Sequence, residues 1–272
     1  NNGNIIAHQQ ESYPTELRAC GSGCDDTIDA SSSVNFTLTN NGTIWAGHGR
    51  TIDLRSATGN ITLTNNAGAK IAAGERLGGL DVLDLDGAGS SGDTITIINH
   101  GAIENRARNW NVIGLASIDN GAIVNFTNTG TITLGPDGGG SKSGYYGGVI
   151  ANDSTDEINF NNSGTMQSAR RIFRLDGSTN FTLTNSGTIK QDNYAYLGES
   201  DSSAATEYSA TTIRVGASGS GATIINSGTI SASHQNYHAI TIGDNDANEA
   251  HSNATIENSG TVTFSGVIKS VL

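Results

Sequence analysis

Eight times the chain writes one phrase: an alternating apolar strand, an Asn, one free position, a Gly, then a small residue and an aliphatic. The copies centre on Asn40-Asn41-Gly42-Thr43-Ile44, Asn66-Ala67-Gly68, Asn99-His100-Gly101-Ala102-Ile103 and Asn128-Thr129-Gly130-Thr131-Ile132. They continue at Asn162-Ser163-Gly164-Thr165-Met166, Asn185-Ser186-Gly187-Thr188-Ile189, Asn226-Ser227-Gly228-Thr229-Ile230 and Asn258-Ser259-Gly260-Thr261-Val262. Successive Gly positions lie 26, 33, 29, 34, 23, 41 and 32 residues apart. A constant core at irregular spacing marks a solenoid, in which each coil buries a thin inward row against its neighbours. The shortest interval is close to a bare coil, and the excess in the others leaves it as loops.

Composition agrees. The 272 residues include 36 Gly and 2 Pro, and 35% are apolar, too few for one compact core of this size but enough for a coil. Long stretches of Thr, Ile, Asn and Phe favour strand over helix. The net charge of −12 opposes binding to a nucleic-acid backbone. No run of about 18 apolar residues is present to span a membrane as a helix.

In the copy Phe181-Thr182-Leu183-Thr184-Asn185, Phe and Leu alternate with Thr, giving one buried and one wet face. The same alternation pairs Phe36 with Leu38, Ile95 with Ile97, Val124 with Phe126, Ile158 with Phe160, Ala222 with Ile224 and Ala254 with Ile256. Asn and Gly then turn the corner, both tolerating positive φ, and a second short strand buries the aliphatic. A third strand reads at 51–54, 82–85, 112–115, 148–150, 172–175, 212–215 and 239–242. Three short strands per turn predict a three-sided parallel β-helix of about eight or nine rungs, right-handed by the crossover rule. At about 4.8 Å per rung the rod is roughly 40 Å long.

The repeated Asn40, Asn66, Asn99, Asn128, Asn162, Asn185, Asn226 and Asn258 read as a structural ladder. Stacked at one corner, each side chain bonds backbone groups and its equivalents above and below. Eight equivalent Asn are not eight active sites. The second copy is irregular: Leu63 lies three residues before Asn66, which leaves Asn65 as an alternative member with a bulge after it.

The segment before Thr27 reads as not carrying the repeat, with Pro14, Cys20, Gly21 and Gly23 breaking the strand pattern, and is expected to cap the coil, pinned by a Cys20–Cys24 bond, with Ile5, Ile6 and Leu17 as apolar cover. The domains are therefore read as a cap, 1–26, and rungs, 27–272. Cys20 and Cys24, the only cysteines, read as a small disulfide loop in an oxidising compartment, since no partner ligands for a metal lie nearby. Residues 266–272 resemble the third strand of a next rung, so the native polypeptide is expected to continue.

Paired carboxylates occur at Asp25 with Asp26, Asp84 with Asp86, Asp153 with Asp156 and Glu157, and Asp244 with Asp246 and Glu249. Sugar-cleaving enzymes place two carboxylates across a glycosidic bond. The outward third-strand row, however, reads Asp53, Asp84, Gly114, Ala151, Arg174, Arg214, Thr241, with neutral rungs separating Asp from Arg. No mixed acid–base constellation is expected, and no catalytic residue, metal or cofactor is assigned. Asp244 to Glu249 lacks the Gly and distal Glu of a calcium loop. His234 and His238 lack a third ligand, and Ser220 lacks a GxSxG frame. Sequons such as those at Asn35, Asn125 and Asn180 fall out of the strand repeat. The long insertions 135–147 and 191–210 hold Tyr145, Tyr146, Tyr194, Tyr196 and Tyr208, and shorter ones hold Trp110 and Tyr237. Loop aromatics either make recognition surfaces or pack back as covers over the corners.

The phrases Asn-Ser-Gly-Thr-Ile at 185–189 and 226–230, and Asn-Thr-Gly-Thr-Ile at 128–132, resemble the passenger repeats of bacterial autotransporters, over 27–272. The resemblance implies type V secretion to the outer surface of a Gram-negative bacterium, carried by an outer-membrane barrel of the same polypeptide. It also implies adhesion or self-aggregation where, as here, no catalytic motif is present. The expected function is thus a non-enzymatic cell-surface or secreted adhesin acting in attachment, aggregation or biofilm. Its partners would be a host-cell or matrix ligand, a surface glycan, or itself on neighbouring bacteria. The rivals are a polysaccharide-processing β-helix (lyase, hydrolase or phage tailspike) and a passive stalk for a downstream domain.

Overall fold

The computed structural model describes residues 2–7, 26–47, 49–73, 81–106, 111–115, 121–135, 148–152, 157–168, 171–175, 180–191, 211–215, 221–232, 239–242 and 254–264. They form three parallel sheets of nine, eight and eight strands, stacked coil upon coil. The chain is a three-sided parallel β-helix. Sheet 1 holds the alternating strands, from Thr37–Asn40 to Ala254–Asn258. Sheet 2 holds the strands after the corner, from Asn4–Ala7 to Thr261–Phe264. Sheet 3 holds the short third strands, from Ile28–Asp29 to Ile240–Ile242.

Period-two alternation sets the register. In sheet 1, Ile123–Asn128 pairs residue for residue with Glu157–Asn162, so Val124 meets Ile158 and Phe126 meets Phe160. The inward residues of all three sheets form one core along the rod, with Ile44, Ile71, Ile103, Ile132 and Ile189 wholly buried in sheet 2. Mid-rod, Phe126 stacks on Phe160 at 4.5 Å between ring centres, Phe173 of sheet 3 meets Phe160 edge-on at 5.0 Å, and Phe181 follows at 5.5 Å. Such aromatic contacts add about 0.5–1.5 kcal/mol each beyond the area they bury.

Two expectations are corrected. The second ladder member is Asn65, not Asn66. Ile61, Leu63 and Asn65 point inward on one strand, so alternation turns Asn66 outward, where its Nδ2 donates to Asn41 Oδ1 at 2.6 Å. The repeated Gly is also required for a different reason. Among the described residues the positive-φ glycines are Gly59, Gly68, Gly87, Gly89, Gly92 and Gly121, and of the repeat only the irregular corner at Gly68 belongs to them. At Gly130, Gly164, Gly187, Gly228 and Gly260 a Cβ would overlap the carbonyl of the corner glycine one coil earlier. The corners stack backbone on backbone, and only Gly leaves room.

The coil begins before Thr27. Asn4–Ala7 pairs in parallel with Thr43–Ala46, matching Ile5 to Ile44, and Thr43 N–H donates to Gly3 carbonyl at 3.0 Å. Gly3-Asn4-Ile5 is therefore a further copy of the phrase, with Asn in the small-residue position. Ile5 and Ile6, expected as cover, are strand residues. Residues 8–25 of the expected cap, with Leu17, Cys20 and Cys24, lie outside the described residues, as do 266–272.

Candidate functional site

The Asn ladder runs unbroken inside the corner between sheets 1 and 2. Nδ2 donates to the next Oδ1 from Asn40 to Asn65, Asn65 to Asn99 and Asn99 to Asn128, each at 2.8 Å. It continues from Asn128 to Asn162, Asn185, Asn226 and Asn258, each step at 2.7 Å. Asn40 through Asn226 are buried. The second hydrogen of several of these amides reaches a corner carbonyl or the following strand, as from Asn99 to Thr131 carbonyl at 3.1 Å. The ladder satisfies buried backbone and presents nothing to a ligand.

Sheet 3 carries a constellation that the row-by-row reading of the sequence missed. Asp29, Asp53 and Asp84 stack in register. Each accepts the backbone N–H two residues on: Ser31 at 3.0 Å, Arg55 at 3.0 Å and Asp86 at 3.1 Å. These are repeated Asx turns, which explains the recurring Asp at the strand end. Arg50 and Arg55 lie outside the two-residue strand and fold back over it. Arg55 grips Asp53 at 2.6 Å through Nη2, while Arg50 bonds Asp84 and approaches Asp26 at 3.8 Å. A mixed Asp–Arg cluster thus forms, contrary to expectation. Reading Arg55 as the i+2 partner of Asp53 was the available clue.

Electrostatics separate these acids. Burial raises the Asp53 carboxyl, but bonds from the Arg55 side chain and backbone N–H outweigh it and hold the group below the usual range. Burial raises Asp26, helped by its hydrogen bond to Asp53. Asp81 is pushed up to about 7 by burial, with the charges of Asp84 and Asp86 adding to it. Its carboxylate accepts from Asn111 N–H at 2.7 Å and Asn111 Nδ2 at 3.4 Å. Asp53, Asp81 and Asp84 are 1%, 6% and 4% exposed, so a polymer in solvent does not reach them as they stand.

The broad accessible feature is the outer face of sheet 1. One row runs Thr37, Thr62, Thr96, Asn125, Asn159, Thr182, Thr223, Thr255; the next runs Thr39, Thr64, Ile98, Thr127, Asn161, Thr184, Ile225, Glu257. Glu157 and Glu257 are the charged residues of these eight strands. Eight strands at about 4.8 Å make a sparsely charged strip roughly 34 Å long, with these two carboxylates and no Lys or Arg. Sheet 2 differs: its outer face carries Lys70, paired with Glu104 at 2.7 Å, and Lys190.

The loop aromatics Trp110, Tyr145, Tyr146, Tyr194, Tyr196, Tyr208 and Tyr237 lie outside the described residues. So do Asp25, Asp153, Asp156, Ser220, His234, His238 and 244–249. Among the described residues no group of three or more His, Cys, Asp or Glu is placed to hold a metal ion, and no helix is long and apolar enough to cross a membrane. No protein-family model, curated protein or solved structure matches the chain.

Proposed function

We propose that this chain is the rod of a bacterial cell-surface adhesin of the autotransporter kind, exported by an outer-membrane barrel of the same polypeptide and without catalytic activity of its own. The observation that carries the reading is the sparsely charged outer face of sheet 1, two carboxylates over eight strands, on a chain of net charge −12. Two such chains repel one another through most of their surface. They can approach where charge is sparse, and rows of Thr and Asn offer hydroxyls and amides at one regular spacing. A second copy on a neighbouring cell is the partner this face favours. A host-cell or matrix ligand, or a neutral surface glycan, meets the same chemistry. Display of the full protein on a non-adherent bacterium is expected to bring clumping, biofilm or host-cell attachment; no gain in any of the three would sink the proposal. Gln191 is a buried strand residue that accepts from Thr212 Oγ1 at 2.8 Å, so deleting 192–210 keeps the coil and separates a loop-borne contact, which is lost, from a face-borne contact, which survives.

Asp81, beside the Asp–Arg cluster, favours the rival reading, a polysaccharide-processing coil, because a carboxyl near pH 7 suits a general acid. Burial of Asp53, Asp81 and Asp84 weighs against it. New reducing or unsaturated ends on a glycan panel, abolished by Asp84→Asn or Asp86→Asn, would reverse the preference.

A further inference from the structure

Two carboxylates, of Asp81 and Asp86, meet at one glycine, Gly114, whose strand partner is a third acid, Asp84. Asp84 pairs in register with Gly114 on the next coil. A Cβ on Gly114 would overlap Asp81 Oδ2 and lie 3.5 Å from Asp86 Oδ1. Asp81 is buried, and among the described residues Asn111 supplies its hydrogen bonds and no cation touches it. The charged groups of the preceding coil, Arg50 and Arg55, are engaged by Asp84, Asp53 and Asp26. Asp84 and Asp86 face Asp81 from its own coil; Asn111 and Gly114, both uncharged, face it from the next. The pairing at this point is thin. Leu83–Asp84 and Ile113–Gly114 are two-residue strands, joined by Leu83 N–H to Val112 carbonyl at 3.0 Å and Leu85 N–H to Gly114 carbonyl at 2.9 Å.

We propose that Asp81, set against Asp84 and Asp86 over Gly114, makes this step of sheet 3 a pH-responsive joint, closed when Asp81 is protonated and loosened when it is ionised. Carboxylates crowded in a poorly solvated site do not all ionise without cost, and the cost falls on the contact that holds them together. The sign follows from linkage. Asp81 has its folded pKa raised to about 7 against an ordinary 3.8, so between those values the folded coil holds a proton that the opened one releases. Stability of the step is full in acid, falls as pH rises, and is level above about 7. The joint stands independently of the adhesive reading.

Amide hydrogen exchange of the full chain, corrected for intrinsic rates, reads the joint at Leu83 and Leu85. Protection there is expected to drop about thirtyfold between pH 5.5 and pH 8, while amides of Asn180–Asn185 hold level. Asp81→Asn should flatten the response. Asp86→Asn, which keeps the titrating group, should move the drop to lower pH. Protection at Leu83 and Leu85 independent of pH in the unaltered chain overturns the proposal. So does an unchanged drop in Asp81→Asn or, should that variant not fold, an unmoved midpoint in Asp86→Asn.

Discussion

Replacing Asn128 by Ala cuts the ladder in the middle of the rod. The side chain accepts from Asn99 at 2.8 Å and donates to Asn162 at 2.7 Å, and it is 0% exposed. After the change Asn99 Nδ2 keeps its bond to Thr131 carbonyl at 3.1 Å, so the donor side is partly covered. Asn162 Oδ1 loses the donor from below inside the corner. A buried polar atom left without a partner costs about 1–3 kcal/mol. Removing the side chain's own packing brings the total to roughly 2–4 kcal/mol. Because a solenoid coil contacts only its neighbours, the loss should be local. The assay is the urea midpoint, with amide exchange at Thr129, Thr131 and Ser163 reporting where the coil opens. Asn159→Ala is the control: Asn159 faces outward three residues before the next ladder member, Asn162, and makes solvent-side bonds of 3.2 Å to Asn125 and 2.9 Å to Glu157, so its loss should stay within about 0.5 kcal/mol. Equal effects of the two changes would refute the ladder as a source of stability.

Asn65→Ala should destabilise by a similar amount and Asn66→Ala by less than about 1 kcal/mol, and a reversal of that order in urea would restore Asn66 to the ladder. Gly164→Ala puts a Cβ against the Gly130 carbonyl, so the corner must spread; a loss of about 1–3 kcal/mol is expected, and a neutral result would remove the stacking argument for the corner glycines. Phe160→Ala takes a ring from contact with Phe126 and Phe173 and should cost about 3–5 kcal/mol, checked by thermal unfolding.

Sheets 1 and 2 were legible because their information is local: alternation sets the buried face, and a fixed phrase sets the corner. Sheet 3 was legible from aliphatic pairs such as Ile52 with Leu54 and Leu83 with Leu85, and the row Asp53, Asp84, Gly114, Ala151, Arg174, Arg214, Thr241 pairs as read. The strand Asn4–Ala7 escaped because Asn4 stands where the other copies have a small residue or Lys, and its partner is 39 positions on, at Thr43. Asn65 against Asn66 turned on whether the strand or the corner held the extra residues, which pairing decides and local spacing does not. The Asp–Arg cluster escaped because Arg50 and Arg55 reach Asp84 across a coil boundary, at separations of 34 and 29 residues that no short motif encodes.

The most direct test of the adhesive face is a settling assay of bacteria displaying the full protein with Thr96 and Thr182 both changed to Lys, against the same display with Thr133 and Thr165 changed to Lys on the outer side of sheet 2. All four positions are solvent-facing or half-buried strand sites. The sheet 1 pair should slow settling strongly while the sheet 2 pair leaves it near that of the unaltered protein, with both variants equally abundant at the surface. Settling unchanged by the sheet 1 pair, or lost equally with either pair, would contradict contact through this face.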